Sequence, residues 1–388
     1  MAKKEQQPQK AGKLDVSELR NLLNKKAGRQ VAHNLEEDNP TEVIDWISTG
    51  STWLDAIIDG QTGKRAGIPV GRISELAGET ASGKSYMAAQ IAANAQRKGI
   101  DVVYFDSESA IDPTFLERAG CDLSRLIYMQ AESVEGVLEQ IEFLLTNSTN
   151  RMLFIWDSFA FTPSLTDING GFDPMSQMAV KPRITALGLS KLIQPIANAQ
   201  ATLLVLNQLK TNLNVQNPKY ATDSEKYTTP GGKALAYSYS LRIWLTARRA
   251  KDSFIVDERG FRVGSEIKAR VEKSRFGSQG RECAFKISWS GDHIGVLDTE
   301  SLFEAVKPFI EQAGAWYAIP YPDGTKEKFQ ESMWMKKMED EKFCTRVLDI
   351  IDTEISKNFA NKTGDASKYY NIDGPPPAAP VERELLED

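Results

Sequence analysis

Residues 72–85 read Arg72-Ile-Ser-Glu-Leu-Ala-Gly78-Glu-Thr-Ala-Ser-Gly83-Lys84-Ser85. A strand-like run, Arg72–Ala77, passes into a loop of the pattern G-x-x-x-x-G-K-[ST], and a helix opens at Ser85. Each residue type has a task in that order. Glycines let backbone N–H groups converge on phosphate oxygens. The helix N-terminus adds partial positive charge. Lys84 is suited to reach the β- and γ-phosphates of a nucleoside triphosphate, and the Ser85 hydroxyl to ligate Mg²⁺. A chance match in a chain of 388 residues has odds of about one in a hundred at average Gly and Lys usage. The strand-then-helix context lowers those odds further. The expected contact set is Gly78, Glu79, Thr80, Ala81, Ser82, Gly83, Lys84 and Ser85.

Outward from this loop, apolar runs alternate with helical stretches between about residues 44 and 300. Strand-like runs are Val102–Asp106, Met152–Asp157 and Thr202–Leu206; helices are expected over 84–98, 113–120, 133–147 and 183–199. Strands spaced by helices predict βαβ units and a parallel sheet, hence an α/β fold. Later runs at 240–247, 266–273 and 284–290 lack intervening helices, and their period-two alternation predicts an antiparallel extension. An acid closing an apolar run next to a phosphate loop is the expected second metal residue. Asp157 fills that place, and Ser158 beside it is placed to sense the γ-phosphate. Glu108 follows the strand-like run 102–106, where open α/β sheets hold ligands. A carboxylate there can orient and deprotonate an attacking water.

Composition narrows the class. Hydrophobic residues make up 41 % and charged residues 26 %, which excludes a disordered or collagen-like chain. Cys121, Cys283 and Cys344 are far apart, so no zinc knuckle or disulfide framework is expected. With only His33 and His293, a His-rich metal site or a Ser-His-Asp triad is a poor fit. No apolar run reaches the ~18 residues of a membrane span, and the polar, Lys-rich beginning lacks a signal-peptide pattern. A reducing, cytoplasmic setting is therefore expected. The net charge of −6 alone argues against nucleic acid, but it is unevenly spread. Residues 1–30 carry a net +5 and residues 371–388 a net −4, so local loops must decide.

Four regions are expected. Residues 1–43 hold a tail and a short amphipathic helix at 14–27, whose apolar face needs another surface. Residues 44–300 form the α/β core. Residues 301–360 read as helices around a turn at Tyr321–Gly324, a small separate domain. Residues 361–388, with a PPP run and an acidic end, read as a disordered tail.

Four segments carry a resemblance: Ile47-Ser-Thr-Gly-Ser51, Leu206-Asn207-Gln208, Thr229-Pro-Gly231-Gly232 and Ala313-Gly-Ala-Trp-Tyr317. Together with the phosphate loop they resemble the RecA family of bacterial recombinases, phage-encoded UvsX-type members included, over about residues 44–355. The resemblance implies a RecA-like ATPase core with a mostly parallel sheet, an N-terminal helical segment and a small C-terminal α/β domain. It implies a DNA-dependent ATPase that uses ATP and Mg²⁺, forms a helical filament on single-stranded DNA, and pairs and exchanges strands with duplex DNA in recombination and repair. Single-strand-binding and loader proteins are implied partners, in a bacterial cytoplasm. By the same resemblance Glu108 matches the water-activating glutamate, Asp112 and Phe115 the adenine contacts, and Gln208 the glutamine coupling the γ-phosphate to the DNA loops. Lys273 and Arg275 match two cations that cross a subunit interface to the neighbour's ATP.

Two segments leave the ends of core strands, 162–182 and 209–230. Structureless loops over ~15 residues are usually functional. In RecA-like proteins the matching loops hold single-stranded DNA. Here they carry Met175, Met178 and Leu213 as candidate wedges between bases, with Lys210, Lys219, Lys226 and Tyr220. Arg183 matches a phosphate-binding arginine, and Gly231 and Gly232 can offer N–H groups. Neither loop is strongly basic, so affinity must come from many subunits in series. The chain departs from the family pattern in two places. Glu79 stands where a Pro is usual, and Arg275, a planar fork, stands where Lys is typical. Two alternatives stay open: a RecA-fold helicase or branch-migration motor, and a signalling ATPase that does not bind DNA.

Overall fold

The computed structural model describes residues 15–58, 65–109, 111–170, 180–215, 220–248, 250, 253–291 and 294–356. It divides into two units, residues 1–45 and 46–388. Residues 1–14, Met175 and Met178, Lys219 and the acidic end 361–388 lie outside the described residues.

The first unit holds α1 (Val16–Ala27). Asp15 accepts from the Glu18 N–H while Glu18 reaches back to the Asp15 N–H, a reciprocal cap. Gly28 closes the helix in the left-handed conformation. Val16, Leu19, Leu22 and Leu23 form an exposed apolar stripe on it.

In the second unit, β1 (Trp46–Ile47) pairs with β2 (Ile68–Pro69) on either side of α2 (Thr52–Ile58). The core then alternates: β3 (Ile73–Gly78), α3 (Lys84–Arg97), β4 (Asp101–Asp106), α4 (Pro113–Arg118), β5 (Leu126–Gln130), α5 (Val134–Asn147) and β6 (Met152–Asp157). After α6 (Leu165–Asn169) and α7 (Val180–Asn198) comes β7 (Thr202–Gln208). Next are β8 (Lys210–Thr211), α8 (Asp223–Lys226), β9 (Tyr227–Thr228), α9 (Gly232–Ser238) and β10 (Leu241–Ala247). The sheet is completed by β11 (Phe254–Val256), β12 (Arg262–Ser274), β13 (Glu282–Ser288) and β14 (Gly295–Val296).

Among the described residues one sheet runs β14-β13-β12-β10-β3-β7-β6-β4-β5, with β11 beside β12. From β10 to β5 every neighbour is parallel. Helices cover both faces of these strands, so β6 is buried at all six positions and reads as an unbroken apolar run. Beneath it Phe154, Trp156 and Phe159 pack with α5 and α7 through Val137, Ile141, Leu189 and Leu192. In β12 the burial alternates: Ile267, Ala269 and Val271 are buried between Glu266, Lys268, Arg270 and Glu272, because one face meets water.

Three expectations need correction. The runs at 266–273 and 284–290 extend the sheet antiparallel as expected, and that at 240–247 pairs antiparallel with β12, but its other neighbour, β3, is parallel to it, and a helix, α9, precedes it. That helix is short and follows a long polar segment, so its apolar period is too brief to read. The two long segments are also not structureless. The first contains α6, and α7 begins at Val180; in the second, β8 pairs with β9 around α8. Finally, Tyr321–Gly324 joins two strands rather than two helices. After α10 (Asp298–Val306) come β15 (Glu311–Ala313), β16 (Trp316–Pro320) and β17 (Lys326–Gln330), then α11 (Trp334–Met338) and α12 (Glu341–Ile350). The sequence of β17, Lys-Glu-Lys-Phe-Gln, buries only Phe329, so no apolar alternation announces a strand. Phe303, Tyr317, Phe329, Trp334 and Phe343 make a cluster of aromatic rings there, with centroids 5.1–6.4 Å apart. Ala313-Gly-Ala-Trp-Tyr317 is the hairpin between β15 and β16.

Candidate nucleotide site and its connections

The C-terminal ends of β3, β7, β6 and β4 stand side by side, because the parallel register sets Gly78 level with Gln208 and Asp106 level with Asp157. The chain leaves β3 through residues 79–83 into α3. Ala81 and Gly83 both have left-handed backbones, at φ 60° and 83°, and such turns fold N–H groups into a concavity. Gly83 caps α3 without a side-chain hydrogen bond, so the helix's first N–H groups remain available to an anion. The left-handed backbone favours glycine at position 83, and a Cβ there would also lie 2.5 Å from Ile287 Cδ1, forcing that side-chain end to shift. Lys84 Nζ donates to the carbonyls of Gly78 and Glu79, at 3.1 and 2.9 Å. Its pKa is lowered by burial, against which Asp157, Glu108 and Glu79 act. The Ser82 hydroxyl is buried close to Gly78 and has no hydrogen-bond partner among the described residues.

Across the loop, Ser85 Oγ lies 3.2 Å from Asp157 Oδ2. The buried Tyr104 hydroxyl donates to the same oxygen at 2.8 Å. Burial raises the pKa of Asp157 and the nearby Glu108 and Asp106 raise it further, while Tyr104 and Ser85 oppose. A hydroxyl and a buried carboxylate, crowded by two more acids, form an oxygen donor set that suits Mg²⁺. Ser158 Oγ donates to Glu108 Oε1 at 3.0 Å. Asp106 shapes the loop bearing Glu108: its carboxylate accepts from the N–H groups of Glu108 and Ile111 and from the Tyr128 hydroxyl.

A pocket of about 200 Å³ joins these groups to a less polar end. Ser85, Asp106, Glu108 and Asp157 line it together with Tyr86, Ile111, Asp112 and Phe115. Phe115 meets Tyr86 edge-on, with centroids 4.8 Å apart. Asp112 also caps α4 by accepting from the Thr114 N–H at 2.9 Å.

Other expected residues lie away from this pocket. Lys273 is paired with Arg242, which is level with Glu75, three residues before Gly78. At ~3.3 Å per residue, Lys273 sits about 10 Å back along the sheet, and Arg275 follows it. Lys273 Nζ donates to the carbonyls of Ala236 and Tyr237, and Arg275 to that of Tyr237. Gln208 ends β7, and its N–H donates to the Asn207 side chain at 2.9 Å. Arg183, Lys210, Leu213 and Gly232 are exposed, Leu213 at 92 %. Gly231, at φ 101°, packs against Leu235 and Phe159.

Sequence reasoning missed the supports. A Tyr inside a buried strand calls for a partner for its O–H, but Val102-Val-Tyr104-Phe-Asp106 does not say which; the structure shows that it is Asp157. Glu75 and Arg242 were also missed. Arg242 Nε contacts Glu75 Oε2 at 2.5 Å, with Glu75 fully buried. Arg242 also donates to Thr229 Oγ1, and Asn207 bridges Glu75 Oε1 to the Pro230 carbonyl. This network ties the strand feeding the phosphate loop to the far end of the second long segment. Glu79, the departure from the usual Pro, receives the Tyr227 hydroxyl of β9 at 3.4 Å.

The sheet order, the phosphate-type loop and the paired Ser85–Asp157 define a P-loop nucleotide-binding fold. Comparison with known proteins sharpens the class. The sequence profile of the RecA N-terminal domain matches residues 15–293. Protein RecA of Haemophilus ducreyi is 30 % identical over 299 residues, 76 % of this chain and 74 % of that protein. Protein RecA of Colwellia psychrerythraea is 30 % identical over 283 residues, 72 % of this chain and 76 % of that protein. The chain belongs to the RecA family.

Proposed function

We propose that this protein is a DNA-dependent ATPase that polymerises on single-stranded DNA and promotes homologous pairing and strand exchange with duplex DNA. The observation that carries the reading is the register of β7 beside β3. Gln208 stands level with Gly78, and the second long segment departs immediately after it. A change at the phosphate loop therefore has a path of one residue to a segment suited to DNA.

Within the site, residues 78–85 grip the triphosphate, with Lys84 leaving its carbonyl partners for the β/γ oxygens. Ser85 and Asp157 hold Mg²⁺, which supplies charge neutralisation at the transferred phosphoryl group. Glu108 orients and deprotonates the attacking water, and Ser158 holds the Glu108 carboxylate in place. Phe115 stacks on the base beside Asp112, and Gln208 senses the γ-phosphate. Lys273 and Arg275 are too far along the sheet to serve their own pocket. They act on the pocket of an adjoining protomer, which makes ATP the interface ligand of a filament. The stripe on α1 packs on a neighbouring protomer. DNA is held by Arg183, Lys210, Leu213, Gly231 and Gly232, with Met175 and Met178 in the first loop, and each protomer neutralises only a few phosphates. A bacterial cytoplasm, including one hosting a phage, suits this activity, with single-strand-binding and loader proteins as partners.

The test is ATP hydrolysis with and without single-stranded DNA. Stimulation by DNA, abolished in Lys84→Ala, is the expected result. Hydrolysis indifferent to DNA would refute the reading and favour a signalling ATPase.

A further inference from the structure

The segment after Asp157 is a junction. Phe159 is fully buried and donates its N–H to the Leu206 carbonyl at 3.0 Å, which fastens it to β7. Its ring meets Trp156 edge-on at 5.4 Å. From the second long segment Gly231 comes so close that a Cβ would sit 3.0 Å from Phe159 Cε1. From the first, Lys181 near the start of α7 places its ammonium 4.5 Å from the Phe159 ring centre. Lys181 Nζ also donates to the Phe159 carbonyl at 2.7 Å and to the Ala160 carbonyl at 3.2 Å. The end of β6, the end of β7 and the far ends of both long segments thus converge on one ring and one ammonium.

Lys181 carries a cost in this position. Its pKa is lowered to about 8, chiefly by burial, with Asp167 opposing and the like charge of Lys210 assisting. An apolar side chain could cover Phe159 without that cost. What the ammonium adds is two charge-assisted bonds to successive carbonyls, which tie the start of α7 to the backbone that follows Ser158.

We propose that Lys181 is a positioning residue that fixes the Asp157–Ser158 segment to the end of the first long loop, so that a strand seated there sets the geometry of Ser158 and Glu108. The inference rests on the DNA-dependent reading above. It gives the chain a connection from the first loop to the site, separate from the one through Gln208, which serves the second.

The test compares wild type, Lys181→Met and Lys181→Arg in ATP hydrolysis with and without oligo-dT, together with thermal melting and the salt dependence of oligo-dT binding. Methionine keeps the apolar stem over Phe159 and removes the donors. Lys181→Met is expected to keep the DNA-free rate and the KM for ATP within about twofold. Its DNA-stimulated kcat should fall about tenfold or more, as loss of two charge-assisted hydrogen bonds implies, and Lys181→Arg should recover most of it. Undiminished stimulation in Lys181→Met would overturn the inference. So would an equal loss of both rates with a lower Tm, the mark of a merely structural role. A log–log salt slope for oligo-dT reduced by about 0.7 would also overturn it, by making Lys181 a direct phosphate contact. If wild type itself shows no stimulation, the DNA-dependent reading fails first and takes the inference with it.

Discussion

Replacing Tyr104 by Phe removes one oxygen and leaves the ring. Tyr104 is fully buried in β4, and its pKa is raised well above the ordinary tyrosine range by burial and by Asp157. The phenol therefore stays protonated and donates to Asp157 Oδ2 at every working pH. A hydrogen bond to a charged group is worth about 1.5–3 kcal/mol, a factor of roughly 10–150 at 25 °C. Without it, the carboxylate of Asp157 keeps, among the described residues, the longer hydrogen bond from Ser85 while Asp106 and Glu108 still repel it. Its carboxylate becomes harder to ionise and less fixed in direction. The loss should therefore appear in metal affinity, where removal of such a supporting partner typically costs 10–100-fold. The assay is a Mg²⁺ titration of ATP hydrolysis, paired with fluorescent ATP-analogue binding at fixed Mg²⁺. Tyr104→Phe should need about tenfold or more Mg²⁺ for half-maximal activity, with a deficit larger at pH 6 than at pH 8. A half-maximal Mg²⁺ concentration within twofold of wild type at both pH values would refute the role assigned to Tyr104.

Further expectations concern stability and the sheet network. Asp55 is buried, and burial raises its pKa from 3.8 to about 7 although it accepts from Ser48 and Thr49. The folded state then holds the extra proton between these values, so this group's contribution to stability falls as pH rises from about 4 to 7. Asp55→Asn should flatten that slope by about one proton in denaturation curves across the range; an unchanged slope would contradict the assignment. Arg242→Met leaves the Glu75 carboxylate buried without its ion partner and should destabilise by about 3–5 kcal/mol, measured by urea unfolding. Thr229→Val removes only the link to the second segment and should cost about 1 kcal/mol. Tyr227→Phe breaks the contact to Glu79 and should leave DNA-free hydrolysis within about fivefold, since a long neutral-donor contact is worth under about 1 kcal/mol. A larger loss would place Glu79 among the groups that shape the phosphate loop.

The sequence announces those parts of the fold whose physics is local. Gly78–Ser85 demands a turn and a helix start, and Met152–Asp157 an unbroken buried strand; both are found where the pattern sets them. The helices at 113–120 and 133–147 begin at Asp112 and Ser133, side chains that cap them. Illegible parts depend on distant partners. β10 looks like the alternating strands after it, yet its neighbour is β3, some 165 residues earlier, and only the sheet order reveals the parallel pairing. β17 carries one buried residue in five and is held by its pairing with β16. At the site, the grouping of Lys84, Ser85, Glu108 and Asp157 is readable because each lies at or just beyond a strand end, where the parallel sheet brings them together. Tyr104 and Glu75 are not, because a polar group inside a strand gains meaning only from what faces it. Lys181 resembles any exposed lysine near a helix start until Phe159 is seen beneath it.

The most direct test of the central claim is electron cryomicroscopy of the protein with single-stranded DNA and a non-hydrolysable ATP analogue. The account predicts a helical filament in which Lys273 and Arg275 of one protomer reach the γ-phosphate held by Lys84 of the next, with the strand running along residues 180–183 and 210–213. Isolated protomers, closed rings, or a filament in which those two cations face solvent would contradict it.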